Sequence, residues 1–180
     1  MDLKNGIYII ECIPQEERLG EGEMLNEFLK IIMPSEDVDF EPIENKNDFF
    51  NKLNRNNSKV VHISCHGNTD DNKNLYIALP DDDILPEDFY ESDHLRGRGV
   101  VVTGCLLGRK DFADEFLKRT SAKSLIAPLN LIDSFDVAMW CINFYYLVLA
   151  KGYTFVESYK YMKKRFYVPG AMKMWILKEE

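Results

Sequence analysis

The sequence predicts an α/β fold with a mostly parallel central sheet. Strand-like and helix-like patterns alternate along the chain, which is the signature of βαβ crossovers with helices on both faces of a sheet. The run Val100-Val101-Val102 is apolar on consecutive residues, as in strands buried on both faces. The 180 residues, 46% hydrophobic and 29% charged, suit one globular domain with a substantial core. No repeat, low-complexity tract or Gly/Ser-rich linker divides residues 1–180, so they read as a single domain.

Gly6 to Ile13 is the first strand, an apolar β-rich run. Leu25, Phe28, Leu29 and Ile32 recur at helical spacing and predict a helix from about Glu21 to Met33. Val38 to Ile43 reads as a strand, and Asn47 to Leu53 as a short helix carrying Phe49, Phe50 and Leu53. Val60 to Cys65 is a strand, with Leu75 to Leu79 in a hairpin after it. The Val100 strand follows, then a helix from about Asp111 to Arg119 and a short strand from Ser124 to Ala127, closed by Pro128. Two helices, about Asp133 to Ala150 and Thr154 to Lys164, precede a terminal apolar piece ending at Leu177.

The net charge of −8 repels phosphate backbones and anionic lipid, and the basic residues form no stripe. Lys163, Lys164 and Arg165 cluster at a helix end, where cations suit the dipole. Neither nucleic acid nor membrane is therefore expected as a partner. The N-terminus, Met1-Asp2-Leu3-Lys4-Asn5-Gly6, lacks a signal-peptide pattern, and the apolar stretch Val137 to Ala150 is too short to span a bilayer. A cytoplasmic protein is expected. The four cysteines (Cys12, Cys65, Cys105, Cys141) are widely spaced and read as free thiols.

In parallel sheets the chemistry gathers beyond the carboxyl ends of the strands. Two strand ends carry reactive side chains: His62-Ile63-Ser64-Cys65-His66-Gly67 and Thr103-Gly104-Cys105-Leu106-Leu107-Gly108. A thiol becomes a strong nucleophile once an imidazole takes its proton. Neighbouring strands lie about 4.8 Å apart, so end residues on adjacent strands bring sulfur and imidazole together. Gly67 leaves its N–H clear, and with the N–H of Cys105 it makes a possible oxyanion hole.

At these residues the chain resembles the clan CD cysteine peptidases, which include caspases, metacaspases, separase and bacterial CHAT proteins. The resemblance is closest to CHAT domains and runs from about Val60 to Lys164. Besides the His-Gly and the Cys 39 positions after His66, it includes Ala122-Lys123-Ser124-Leu125-Ile126-Ala127, Asn143 to Leu147, Lys151-Gly152-Tyr153-Thr154 and Glu157-Ser158. It implies a caspase-like three-layer αβα sandwich and peptide-bond hydrolysis through an acyl-enzyme, with His66 as general base and acid, Cys105 as nucleophile and Gly67 as oxyanion donor. It also implies a protein substrate, no cofactor, and a separate activator or sensor protein. The loop from Pro128 to Asp136 would build the S1 pocket, with Asp133 or Asp136 meeting a basic P1 side chain. Asp133 reads equally as the N-cap of the following helix. Asn130 stands where the family often has a tryptophan, and nothing resembles the caspase Gln-Ala-Cys signature.

Several other readings are weaker. Cys65, Cys12 and Cys141 read as core, and His62 as a hydrogen-bonded interior residue roughly 13 Å down the strand from His66. That spacing disfavours zinc, so no metal is expected. A phosphatase loop needs Arg where Asp111 stands. A flavodoxin-like binder needs a phosphate-cradling pattern where Pro14-Gln15-Glu16-Glu17-Arg18 stands. His94 and the acidic stretch Asp81, Asp82, Asp83, Glu87, Asp88, Glu91 and Asp93 read as a solvated loop. The rival from another class is a catalytically silent binding module on the same fold.

Overall fold

The structure, a computed structural model, describes residues 2–17, 20–90 and 93–177. Arg18 and Glu91, named in the sequence readings, lie outside them, as does Met1. Six strands form the central sheet in the order β2 (Val38–Pro42), β1 (Lys4–Glu11), β3 (Ser58–Ser64), β7 (Gly99–Val102), β8 (Ser124–Ala127) and β9 (Lys173–Ile176). The first five are mutually parallel and β9 runs antiparallel to β8. A second sheet, β4 (His66–Thr69), β5 (Leu75–Ala78) and β6 (Asp83–Ile84), is antiparallel and stems from the carboxyl end of β3.

Strand alternation splits the interior into two cores. Tyr8, Ile10, Val61, Ile63, Val100, Val102 and Leu125 face one side, covered by Phe49 and Leu53 of α2 (Lys46–Arg55) and Phe112 and Phe116 of α3 (Lys110–Thr120). Ile7, Ile9, Val60, Val101 and Ile126 face the other. There they are covered by Leu25 and Leu29 of α1 (Glu21–Ile32), Trp140 and Phe144 of α4 (Ser134–Tyr145) and Met162 of α5 (Phe155–Arg165). The result is an α/β architecture of helix, sheet and helix layers. All four residues of β7 are buried, as expected for a central parallel strand.

Local chemistry starts the helices. Asn45 accepts the Asp48 N–H at 3.0 Å to begin α2, and Thr154 with Glu157 forms a capping box at α5. The long helix expected through Ala150 instead ends at Tyr145 and continues as a π-helical turn, Tyr146–Ala150. The first strand begins at Lys4, two residues earlier than its apolar run, because the Lys4 N–H is paired to Asn57 O at 3.0 Å. The acidic stretch after β5 is partly built into the fold. Asp88 Oδ2 accepts the Leu85 N–H at 2.8 Å and pairs with Lys46 at 2.9 Å. Among the described residues no helix is long and apolar enough to cross a membrane.

The chain leaves β1 toward β2 on one side and returns to β3 on the other. The topological switch therefore lies between the carboxyl ends of β1 and β3, where a crevice forms in sheets of this kind.

Candidate active site

His66 and Cys105 come from adjacent strand ends, as the sequence predicts. His66 opens β4 immediately after Cys65, and Cys105 lies in the turn following β7, which pairs with β3. The two segments touch along their backbones. A Cβ on Gly67 would collide with the Cys105 carbonyl oxygen, so this approach requires glycine. A Cβ on Gly104 would lie 2.8 Å from Cys65 Sγ and 3.0 Å from Gly67 N. Two glycines thus let the histidine and cysteine segments meet.

The cysteine turn is unusual in its backbone. Leu106, immediately after Cys105, has φ 69, a left-handed conformation that a branched side chain rarely adopts. The turn is held by Leu107 N–H to Gly104 O at 3.4 Å, Arg109 N–H to Leu106 O at 3.0 Å and Gly108 N–H to Pro128 O at 2.7 Å. Trp175 of β9 donates to Gly108 O at 2.8 Å. Among the described residues the Cys105 N–H has no acceptor within the protein. Cys105 is half-buried and His66 exposed, whereas Cys12, Cys65 and Cys141 are buried. Burial pushes those three thiols up, so they stay protonated and inert at neutral pH.

A residue not singled out in the sequence joins this site. Glu17, in the helical turn Gln15–Glu17 after β1, places Oε2 3.2 Å from His66 Nε2, and both side chains are more than half exposed. The only sequence cue was its place beyond the carboxyl end of a strand.

The loop expected to form S1 runs beside the cysteine turn, with Asn130 O accepting the Leu106 N–H at 3.4 Å. Leu129 and Asn130 N–H both donate to Gly170 O at 3.0 Å, which pins the loop. Asp133 is the N-cap of α4: its Oδ1 accepts the Phe135 N–H at 2.9 Å and the Asp136 N–H at 3.2 Å. Asp136 is exposed in the first turn, between the exposed side chains of Phe135 and, four residues further on, Met139.

Beneath the site lies a buried polar cluster. His62 Nδ1 is 2.7 Å from the Tyr145 hydroxyl and its Nε2 is 3.2 Å from Glu21 Oε1. Ser64 donates to Glu11 Oε1 at 2.8 Å and lies 3.3 Å from Glu21 Oε2, while Glu11 Oε2 accepts the Gly22 N–H at 2.9 Å. Burial pushes the Glu11 carboxyl up, partly offset by the Ser64 hydrogen bond. His62 is thus the hydrogen-bonded interior residue expected, and the two glutamates are partners the sequence did not reveal. No protein-family model matches the chain, and no curated protein matches it in sequence.

Proposed function

We propose that this chain is a cysteine endopeptidase of the caspase-like kind, closest to CHAT proteins, acting on a protein substrate in the cytoplasm. The observation that carries the reading is the meeting of the His66-Gly67 and Gly104-Cys105 backbones at the carboxyl edge of the sheet, where Gly67 lies against the Cys105 carbonyl.

In this reading His66 takes the Cys105 thiol proton, and the thiolate adds to the scissile carbonyl carbon. The resulting oxyanion accepts hydrogen bonds from the Gly67 and Cys105 N–H groups, the latter without an acceptor among the described residues. Collapse expels the amine, which takes the proton from His66 and leaves a thioester. Water, deprotonated by His66, then releases the acid and restores the thiol. No cofactor or metal is needed for any step. The strained φ of Leu106 is of the kind that presents a reactive side chain at a fixed angle.

For the substrate, Asp136 is the better acidic partner for a basic P1 side chain, because Asp133 already serves two backbone N–H groups. A separate activator or sensor protein switching the enzyme on completes the reading. Peptides identical except for Arg, Lys, Leu or Asp at P1 decide the specificity. Preference for Leu moves the contact to Phe135 and Leu131, both exposed on the same loop. Full activity of the isolated chain on its natural substrate removes the activator.

The decisive test is labelling by a peptide-like thiol electrophile. Modification of Cys105 that is lost in His66→Ala supports the enzyme. Modification independent of His66, with no peptide cleavage, favours a silent binding module on the same fold.

A further inference from the structure

We propose that Glu17 is a positioning residue for His66, fixing the tautomer and orientation of the imidazole; this rests on the cysteine-peptidase reading. A base that serves a thiol must offer one unprotonated nitrogen and hold the proton of the other. The partner of that second nitrogen decides which tautomer exists and how the ring is turned. Here Nε2 is 3.2 Å from Glu17 Oε2. A carboxylate only accepts, so it selects Nε2–H and leaves the lone pair on Nδ1. When the thiol proton arrives, the same carboxylate faces an imidazolium.

The placement of Glu17 is built into the fold at both ends of its loop. At the entry, Glu11 is clamped to Ser64, two residues before His66, and the Cys12 N–H donates to Ser64 O at 2.7 Å. At the exit, Glu11 Oε2 takes the Gly22 N–H and Glu21 lies against Ser64 and Thr103. Between these anchors a helical turn, closed by Glu17 N–H to Pro14 O at 2.9 Å, carries the carboxylate to the ring. The loop and the histidine strand thus share one buried footing. Among the described residues Glu17 is the only charged side chain paired with His66. Across the β4–β5 ladder His66 meets Ala78, and the thiol of Cys105 is the titratable group on the adjoining turn.

The magnitude follows from exposure. Side chains 54% and 61% exposed are well screened, so the pair acts mainly by orienting the ring and its energetic contribution is small. Removing the carboxylate should slow the chemistry a few-fold, far less than removing His66.

The competing role for Glu17 is recognition of a basic substrate side chain, and a small uncharged reagent separates the two. The experiment measures alkylation of Cys105 by iodoacetamide against pH, assigned by mass spectrometry, in wild type, Glu17→Gln, Glu17→Asp and His66→Ala. NMR of the His66 imidazole in each histidine-bearing protein accompanies it. Expected is a loss of the Nε2–H tautomer preference of His66 in Glu17→Gln, read from its imidazole nitrogen resonances, with a few-fold slower alkylation near neutrality and partial recovery in Glu17→Asp. If Glu17→Gln keeps the wild-type profile while His66→Ala is slow, the positioning role is overturned and the peptidase reading stands. If Glu17→Gln alters only KM for Arg or Lys peptides, it is likewise overturned, in favour of specificity. If His66→Ala also leaves alkylation unchanged, the dyad itself fails.

Discussion

Two histidines four residues apart each lie 3.2 Å from a glutamate carboxylate, and their surroundings are opposite. His62 and Glu21 are sealed beneath α1 and α4, at 0% and 4% side-chain exposure, with Tyr145 on the second ring nitrogen. His66 and Glu17 stand open at the crevice, on a short strand and a loop. Burial makes the first pair costly to break, because a lone charge or orphaned polar group would remain in a dry interior. Exposure makes the second pair cheap to break and accessible from solvent. The same chemistry therefore serves the fold at one position and the proposed reaction at the other, and environment decides which.

The largest effect expected is at the open histidine and the cysteine on the adjoining turn. His66→Ala and Cys105→Ala should each abolish peptide turnover, while their urea unfolding midpoints stay near wild type. The double variant should be little worse than either, as for residues acting as a unit. Wild-type cleavage by Cys105→Ala would break the functional half of the comparison. Next comes the buried pair: His62→Ala should destabilise by about 3 kcal/mol, because it strands Glu21 and the Tyr145 hydroxyl. Chemical denaturation measures this, and a loss below about 1 kcal/mol would mean that the cluster carries little of the fold.

Asp133→Ala should cost about 1 kcal/mol through the lost N-cap of α4 and leave the P1 preference unchanged. A changed P1 profile at unaltered stability would return Asp133 to the substrate site. The smallest effect is a slope. Burial holds the Glu11 carboxyl above its unfolded value, so between those two values the native state binds more protons than the unfolded state. The benefit is full below the unfolded value and is lost as pH rises through the raised one. Glu11→Gln cannot ionise, and its stability should vary less with pH across that window. Thermal unfolding of both proteins over mildly acidic to neutral pH checks this; parallel curves would remove Glu11 from the account.

The sequence was informative wherever information is local. The apolar run around Val60-Val61-His62-Ile63 marks a buried strand, and the spacing of Leu25, Phe28 and Leu29 reports the apolar face of a helix, so the order of elements was legible. So were the Asp133 cap and the separation of Cys65 from His66, which follow from neighbouring residues. Edges were less legible. The start of β1 depends on Asn57, far along the chain, and the π-helical turn after α4 has no local pattern of its own.

What only the tertiary structure decided is partnership across the sheet edge. Glu17 is 49 residues from His66, and Glu11 is 53 from Ser64. No periodicity links such positions, because their approach is set by strand order, by the crossover through β2 and by two glycines that let backbones touch. The sequence by itself determined an α/β chain with a histidine and a cysteine at strand ends. Packing alone determined which carboxylate would be buried to hold the fold and which would stand in water beside His66, since burial is a property of the assembled layers and not of any one segment.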